Sequence, residues 1–115
     1  VFISKIEDSD ALEDEIVKIL ENNVYGNVTL DAISDALHYG KTTICKTFKK
    51  RTGKTIISYY LELKIEESKK LIRENNSFSE IAILLRFDSL PHFTKTFKRI
   101  TSMTPREYKN SILTN

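Results

Sequence analysis

The basic side chains of this sequence occur in a pattern that repeats. The stretch KTFKKRTGKT at positions 46–55 returns as KTFKRITSMT at positions 95–104, and six of the ten positions are identical. Lysine and arginine bind phosphate groups through their charge and read the edges of bases through their N–H donors. The repeat therefore predicts a cationic surface that is presented twice.

The formal net charge is only +2, but the two ends of the chain differ strongly in charge. Residues 1–37 hold nine acids and two bases, a net charge of −7, whereas residues 38–115 hold seven acids and sixteen bases, a net charge of +9. Such a division indicates a polyanionic partner for the basic part. A lysine-rich face that contacts only solvent is the alternative explanation.

Other kinds of site find little support in the sequence. No nucleophile beside a base, no carboxylate pair and no glycine-rich phosphate loop stands out, so we expect no enzyme activity. One cysteine, Cys45, and two histidines predict neither an internal disulfide nor a zinc site, and we expect no cofactor. The chain has no apolar run long enough to cross a membrane and no export leader, which predicts a cytoplasmic protein without membrane contact.

The spacing of apolar residues is helical throughout, which predicts an all-α fold. Glycine and proline together number five, and no stretch alternates strictly between polar and apolar residues. The first helix is predicted over residues 11–22, with Asp10 as its cap. A last short helix follows a capping box of Thr104 and Glu107, with proline at its first position.

Each copy of the basic repeat lies in a unit of a short helix, a tight turn and a second helix. Thr29 is the cap of the first short helix, and Ser77 with Glu80 forms a capping box for its counterpart. The two copies align with an offset of 48 residues before the turn and 49 after it, so the second turn is one residue longer. Each unit is predicted to be a helix-turn-helix.

A long helix is predicted between the two units, over residues 55–76. Thr55 is its cap, and one face carries Ile57, Leu61, Ile65 and Ile72. At about 1.5 Å per residue it is roughly 30 Å long, close to the ~34 Å between successive major grooves of B-DNA. The predicted fold class is all-α, with two helix-turn-helix subdomains, at 10–54 and 77–115, joined by a long connecting helix, about seven helices in all. Residues 1–9 are expected to be a linker from a preceding domain.

Three stretches resemble the AraC/XylS family of transcriptional regulators. SEIAILLRFDSLPHFTKTFKRITSMTPREY, at 79–108, contains in order the I-A, F-x-+-x-F-K and T-P-x-x-Y elements of that family's signature. LHYGKTTICKTFKKRTGKT is similar to its first helix-turn-helix, and LELKIEESKKLI is similar to its connecting helix. The resemblance covers roughly residues 10–110. It implies a seven-helix domain that binds double-stranded DNA, with its third and sixth helices in major grooves.

The resemblance also implies which side chains face DNA. The first DNA-reading helix would present Lys41, Thr42, Cys45 and Lys46, and the second would present Leu90, Pro91, His92 and Lys95. The residue pattern agrees, because Ile44, Phe48, Phe93 and Phe97 are needed inward. A companion domain that senses or dimerises is implied before residue 1.

Different contacts are expected from these side chains. Lys46 and Lys95 are candidates for reading a base such as guanine, although a phosphate contact is the alternative. His92 can donate to a base or a phosphate. Phosphate contact, or solvent alone, is expected for Lys41, Lys49, Lys98 and Arg99.

For the small and apolar candidate residues, more than one kind of contact is expected. Leu90 packs either on a thymine methyl or within the turn, and Pro91 has no N–H to donate. Cys45 is a base contact, a buried small side chain or, least favoured, a redox sensor.

The chain departs from the family pattern at four positions. His38 and Arg86 occupy the turn position where glycine is usual, so positive φ angles there would strain the turns. Ser102 stands near an expected glycine, and Lys64 stands where arginine is frequent.

A helical protein-interaction module with a basic face for an acidic partner, such as RNA polymerase, is the alternative function.

Overall fold

The structure, a computed structural model, describes the backbone of residues 2–113 and the side chains of residues 11–113. The described backbone contains no strand, and its helices are α1 (Phe2–Asn22), α2 (Leu30–Leu37), α3 (Lys41–Thr52), α4 (Ile56–Arg73), α5 (Phe78–Leu84), α6 (Leu90–Thr101) and α7 (Pro105–Leu113). The all-α prediction is confirmed, with α3 and α6 in the positions expected for the two reading helices.

Side-chain caps fix where the helices begin. The hydroxyl of Thr29 accepts a hydrogen bond from the N–H of Ala32 at 3.1 Å, and that of Thr55 accepts one from Ser58 at 3.1 Å. Each cap satisfies an N–H that the first turn of a helix leaves without an intrahelical acceptor. Both predicted capping boxes are confirmed, at Ser77 with Glu80 and at Thr104 with Glu107.

The prediction for the start of the first helix was wrong. α1 begins at Phe2 rather than at Ala11, so the backbone of Asp10 lies inside the helix and is not its cap. No proline or glycine occurs in residues 2–22, so nothing in the sequence interrupts the helix before Asp10. Val1 and the side chains of residues 2–10 lie outside the described part of the chain, and a linker role for residues 1–9 stays a prediction.

The chain divides into two compact units. The first contains residues up to Asn23 and residues 27–60, and the second contains Val24–Gly26 and residues from Leu61 onward. In the first unit, α1 packs on α3 through buried apolar side chains, with Ile16, Leu20, Ile44 and Phe48 each 0% exposed. A charge pair supports this packing, since Arg51 Nε lies 2.9 Å from Glu13 Oε1.

The core of the second unit is aromatic. Phe93 and Phe97 are fully buried, with ring centroids 5.9 Å apart. Phe87 packs on Phe93 at 5.3 Å, and Tyr108 packs on Phe97 at 5.8 Å. These contacts hold α5, α6 and α7 around a cluster that also contains Ile65, Leu71, Ile72, Ile81, Ala82 and Leu85.

The expected buried face of the connecting helix needs one correction. Ile57 was placed on that face, but it is 58% exposed, whereas its neighbour Ile56 is 4% exposed. Ile65 and Ile72 are buried as expected. Two adjacent residues of a helix point about 100° apart, so the buried face includes Ile56 and leaves Ile57 in solvent.

Candidate nucleic-acid interface

Both helix-turn-helix turns contain a non-glycine residue in the left-handed region. His38 has φ 60° and Arg86 has φ 61°. Their separation of 48 residues equals the offset of the sequence repeat before the turn. Both turns therefore contain, at the position where the family usually has glycine, the positive φ angle that strains a residue with a Cβ. The turns then differ in how the next helix starts: Gly40 gives α3 no side-chain cap, while Ser89 accepts from the N–H of His92 at 3.1 Å.

The first reading helix, α3, presents its candidate residues on one face. Ile44 and Phe48 are 0% exposed and anchor α3 in the first unit, with the Phe48 ring 5.3 Å from that of Tyr59. Exposed side chains cover the opposite face, and Cys45 is half-buried at its edge. The exposed candidates are Lys41, Thr42, Lys46 and Lys49.

The second reading helix, α6, has the same division between an inner and an outer face. Phe93, Thr96 and Phe97 are buried, and the candidate residues Leu90, Pro91, His92, Lys95, Lys98 and Arg99 are all exposed. Leu90 is 38% exposed, so part of its apolar surface is accessible to a ligand. The ring of Phe87 lies 5.2 Å from that of His92, and His92 Nδ1 lies 3.8 Å from Asp88 Oδ2.

The repeated basic stretch has a structural role in addition to its charge. The hydroxyl of Thr52 donates to the Phe48 carbonyl at 2.8 Å and accepts from the N–H of Lys54 at 3.1 Å. The hydroxyl of Thr101 does the same with Phe97 at 2.8 Å and with Met103 at 3.2 Å. The identical threonines therefore end both reading helices in the same way.

One of the candidate cations is paired within its own unit. Lys41 Nζ lies 2.9 Å from Asp31 Oδ1, and both side chains are more than half exposed. The hydrogen bond and the charge of Asp31 raise the pKa of Lys41 above its ordinary value. A phosphate that approaches Lys41 would therefore compete with this carboxylate.

A shallow groove of about 550 Å³ runs beside α3 in the first unit. Its wall contains the half-buried thiol of Cys45 and the exposed Ile57, and its rim contains Lys46, Lys49 and Lys50. Lys50 was absent from the predicted site. A signal for it existed, because Lys50 aligns with the candidate Arg99 in the second copy.

A buried lysine was also missed as a structural feature. Lys64 is 4% exposed, and its ammonium donates to the carbonyls of Val24, Gly26 and Leu85, each at 2.7 Å. Burial, together with the nearby charge of Arg86, lowers the pKa of Lys64 to about 8. In the sequence, Lys64 was notable only because it replaces an arginine that is frequent at this position of the AraC/XylS family.

The described residues contain neither a cluster of metal-ligating side chains nor a helix suited to cross a membrane. Between residues 11 and 113, no three histidine, cysteine or acidic side chains lie close enough to hold a metal ion. None of the described helices combines the length and the apolar character that crossing a membrane requires.

Comparison with known proteins places these features in a family. A family model described as a helix-turn-helix domain matches residues 33–111. The crystal structure of a transcriptional regulator from Chromobacterium violaceum, described as AraC-type DNA-binding domain-containing, is 27% identical, with a TM-score of 0.83, and the match covers 90% of this chain and 94% of that one. The chain belongs to the AraC-type helix-turn-helix family. The predicted resemblance to the AraC/XylS family is confirmed.

Two further proteins match over most of this chain. The bifunctional transcriptional activator/DNA repair enzyme AdaA of Bacillus subtilis is 30% identical over 106 residues, 91% of this chain and 50% of its own. The DNA-binding domain of AdpA, solved in complex with a target DNA, is 16% identical with a TM-score of 0.79 over 86% of this chain and 90% of that one, and it shares the fold. This chain spans only part of the length of the curated relatives it matches, 40% of the uncharacterized HTH-type transcriptional regulator YobQ of Bacillus subtilis and 55% of an uncharacterized HTH-type transcriptional regulator of Pseudoalteromonas carrageenovora.

Proposed function

We propose that this AraC-type domain binds double-stranded DNA with sequence specificity through the exposed faces of α3 and α6, as the DNA-binding part of a transcription regulator. The observation that carries the proposal is that both reading helices have a buried apolar face and an exposed basic face. In each, a pair of phenylalanine or isoleucine side chains at 0% exposure anchors the inner face, and lysines cover the outer face. An α-helix presented in this way fits the major groove of B-DNA.

Lys46 and Lys95 are the proposed base-reading lysines. They occupy equivalent positions in the two copies, 49 residues apart, and both are exposed. Each lies in the second turn of its helix, near the N-terminal part that enters a groove in helix-turn-helix proteins. A lysine ammonium there can donate to the O6 and N7 acceptors of guanine.

The other cations of the two faces are proposed to contact phosphates. Lys49 and Lys98 lie one helical turn after the base-reading lysines, and Arg99 has its counterpart in Lys50. Contacts of this kind position the protein without reading sequence, and they make binding weaker at higher salt. Lys41 would join them after it leaves Asp31.

Specificity is proposed to differ between the halves because the remaining side chains differ. In α3 these are Thr42 and Cys45, which are small. In α6 they are Leu90, Pro91 and His92, of which Leu90 suits a thymine methyl and His92 can donate a hydrogen bond. The two half-sites of the DNA should therefore have different sequences.

The wider arrangement is also part of the proposal. α4 has 18 residues, which at 1.5 Å per residue is about 27 Å, and this length supports insertion of the two reading helices into adjacent major grooves. We propose a cytoplasmic regulator without enzyme activity in this domain, whose dimerisation, if required, uses a companion domain. Contact with RNA polymerase through the basic face is the second candidate.

Selection of duplexes from a random library by the purified domain tests the proposal. We expect enrichment of one sequence with two unlike half-sites whose centres are about one helical turn apart. Footprinting of the selected duplex should then protect two adjacent major grooves on one side. Enrichment of no sequence, with salt-sensitive binding to every duplex alike, would contradict specific recognition and favour the acidic-partner alternative.

A further inference from the structure

Lys64 is buried, which is rare for a lysine. It lies in the part of α4 that belongs to the second unit, and 4% of its surface is exposed. An ammonium group has three N–H donors and no acceptor. Three backbone carbonyls accept from it at 2.7 Å, so its donor capacity is matched by the protein itself.

The three carbonyls that accept from Lys64 belong to two separate segments of the second unit. Val24 and Gly26 belong to the short connection between α1 and α2 that packs with the second unit. Leu85 is the C-cap residue immediately after α5, and its carbonyl lies at the helix end, where carbonyls have no intrahelical donor. The next residue, Arg86, has the left-handed conformation of the turn.

The sequence repeat provides an internal comparison for this turn. In the first unit, the hydroxyl of Ser34 donates to the carbonyl of Tyr39 across the turn. Ser34 aligns with Ala82, which is 3% exposed and has no donor in its side chain. The second turn therefore lacks the hydroxyl bond of the first, and a donor from α4 reaches its backbone instead.

We propose that Lys64 is a positioning residue for DNA recognition, whose ammonium holds the α5–α6 turn so that α6 is presented in the orientation that reads DNA. The inference rests on the proposed function of α6. It assigns to Lys64 in the second unit the role that Ser34 has in the first. Loss of the ammonium leaves the Leu85 carbonyl without this donor and releases a turn that already contains a strained residue.

Amide hydrogen exchange measures the first part of this proposal. The N–H of Arg86 donates to the Ile83 carbonyl at 3.1 Å, and that of Phe87 donates to the Ala82 carbonyl at 2.9 Å. In Lys64→Met we expect both amides to exchange faster, by about tenfold or more, while the Gly53 amide at the end of α3 keeps its protection. Lys64→Arg should restore slow exchange. If Lys64→Met does not fold, Lys64→Gln, which keeps two donors, replaces it.

DNA binding measures the second part. With a duplex from the selection experiment, each half-site is replaced in turn and the loss of affinity is recorded. Replacing the α6 half-site should weaken binding by Lys64→Met about tenfold less than it weakens binding by the wild type. Replacing the α3 half-site should weaken binding by the two proteins equally. Ser34→Ala is the matched control and should have the opposite pattern.

Each result decides a different claim. Unchanged exchange at Arg86 and Phe87 in folded Lys64→Met overturns the positioning role, as does faster exchange spread evenly over both units. Equal loss at both half-sites also overturns it, because it indicates a general decrease in stability. If the wild-type protein discriminates neither half-site, the proposed function fails and the DNA-positioning role fails with it, while exchange at Arg86 and Phe87 still decides whether Lys64 holds the turn.

Discussion

Gly53 and Ser102 end the two reading helices with the same left-handed backbone conformation. Their φ angles are 77° and 67°, and the N–H of each donates to the carbonyl four residues earlier, Lys49 or Lys98, at 2.8 Å. Glycine adopts this conformation without steric cost, whereas a residue with a Cβ pays roughly 1–2 kcal/mol. The second copy therefore keeps the helix ending of the first at a disadvantage in backbone energy.

Ser102→Gly should stabilise the protein by about 0.5–1 kcal/mol. Relief of the left-handed strain exceeds the extra freedom that glycine adds to the unfolded chain, which is about 0.4–1 kcal/mol. Gly53→Ala should have the opposite effect, a loss of about 1 kcal/mol, although the space around Gly53 is open. Urea denaturation followed by circular dichroism measures both changes.

Gly40→Ser is the control for this pair. Gly40 has φ −65° and open space around it, so serine fits there without strain. Its effect should stay within a few tenths of a kcal/mol. A destabilising Ser102→Gly would show that the serine side chain contributes more than its backbone strain costs.

The adjacent pair Ile56 and Ile57 should respond very differently to truncation. Ile56→Ala removes a side chain that is 4% exposed, and we expect a loss of about 2–5 kcal/mol in the free energy of unfolding. Ile57→Ala removes one that is 58% exposed, and we expect a change of about 0.5 kcal/mol or less. Thermal and urea denaturation of the two variants measure these values. Equal losses would mean that α4 is rotated relative to the described structure.

Lys64 gives the stability of the protein a specific pH dependence. Its pKa is about 8 in the folded protein against an ordinary 10.5, so between these values the unfolded chain binds more protons than the folded one. The free energy of unfolding then rises with pH in this window, and the cost of the buried charge is fully present below pH 8. The free energy of unfolding of the wild type should therefore rise relative to that of Lys64→Met between pH 8 and 9.5.

This pH experiment needs an upper limit and a control. The hydrogen bond from Tyr25 to the Glu67 carboxylate raises the pKa of Tyr25 to about 12, which makes stability fall with pH above 10. Measurements up to pH 9.5 avoid that contribution. Lys64→Arg does not titrate in this range and should show no such shift. A difference that stays flat or falls between pH 8 and 9.5 refutes the depressed pKa.

Asp31→Asn should increase the affinity for DNA by releasing Lys41. The freed ammonium can neutralise one more phosphate, so the slope of log K against log salt concentration should become steeper by about one. Fluorescence anisotropy at several salt concentrations measures the slope. The double variant Asp31→Asn/Lys41→Ala should lose the gain in slope. An unchanged slope in the single variant would show that Lys41 does not contact phosphate.

Much of the fold could be predicted because its signals are local in sequence. Caps such as Thr29 and Ser77 act within three residues. The sequence repeat alone aligns His38 with Arg86, the two turn residues that share a positive φ angle. The inner and outer faces of α3 and α6 also follow from helical spacing, because each needs two large apolar anchors.

The features that could not be predicted depend on contacts between distant residues or on small rotations. The carbonyls that accept from Lys64 are 40, 38 and 21 residues away, and no short pattern encodes such a set. Ile56 and Ile57 are adjacent and identical, so the sequence does not indicate which of the two faces the core. A rotation of the helix by one residue would exchange them. The pairing of Lys41 with Asp31 needs the turn geometry between α2 and α3.

The most direct test of the central claim is the affinity of Lys46→Ala and Lys95→Ala for the selected duplex and for duplexes with each base replaced. Each variant should lose about 1–3 kcal/mol of binding energy and become indifferent to base identity at one position, in different half-sites for the two variants. Lys70→Ala, which removes an exposed lysine of α4 that pairs with Glu67 at 3.8 Å, is the control and should bind as wild type. If Lys46→Ala and Lys95→Ala keep the base preferences of the wild type at every position, α3 and α6 do not read DNA through these lysines and the account is contradicted.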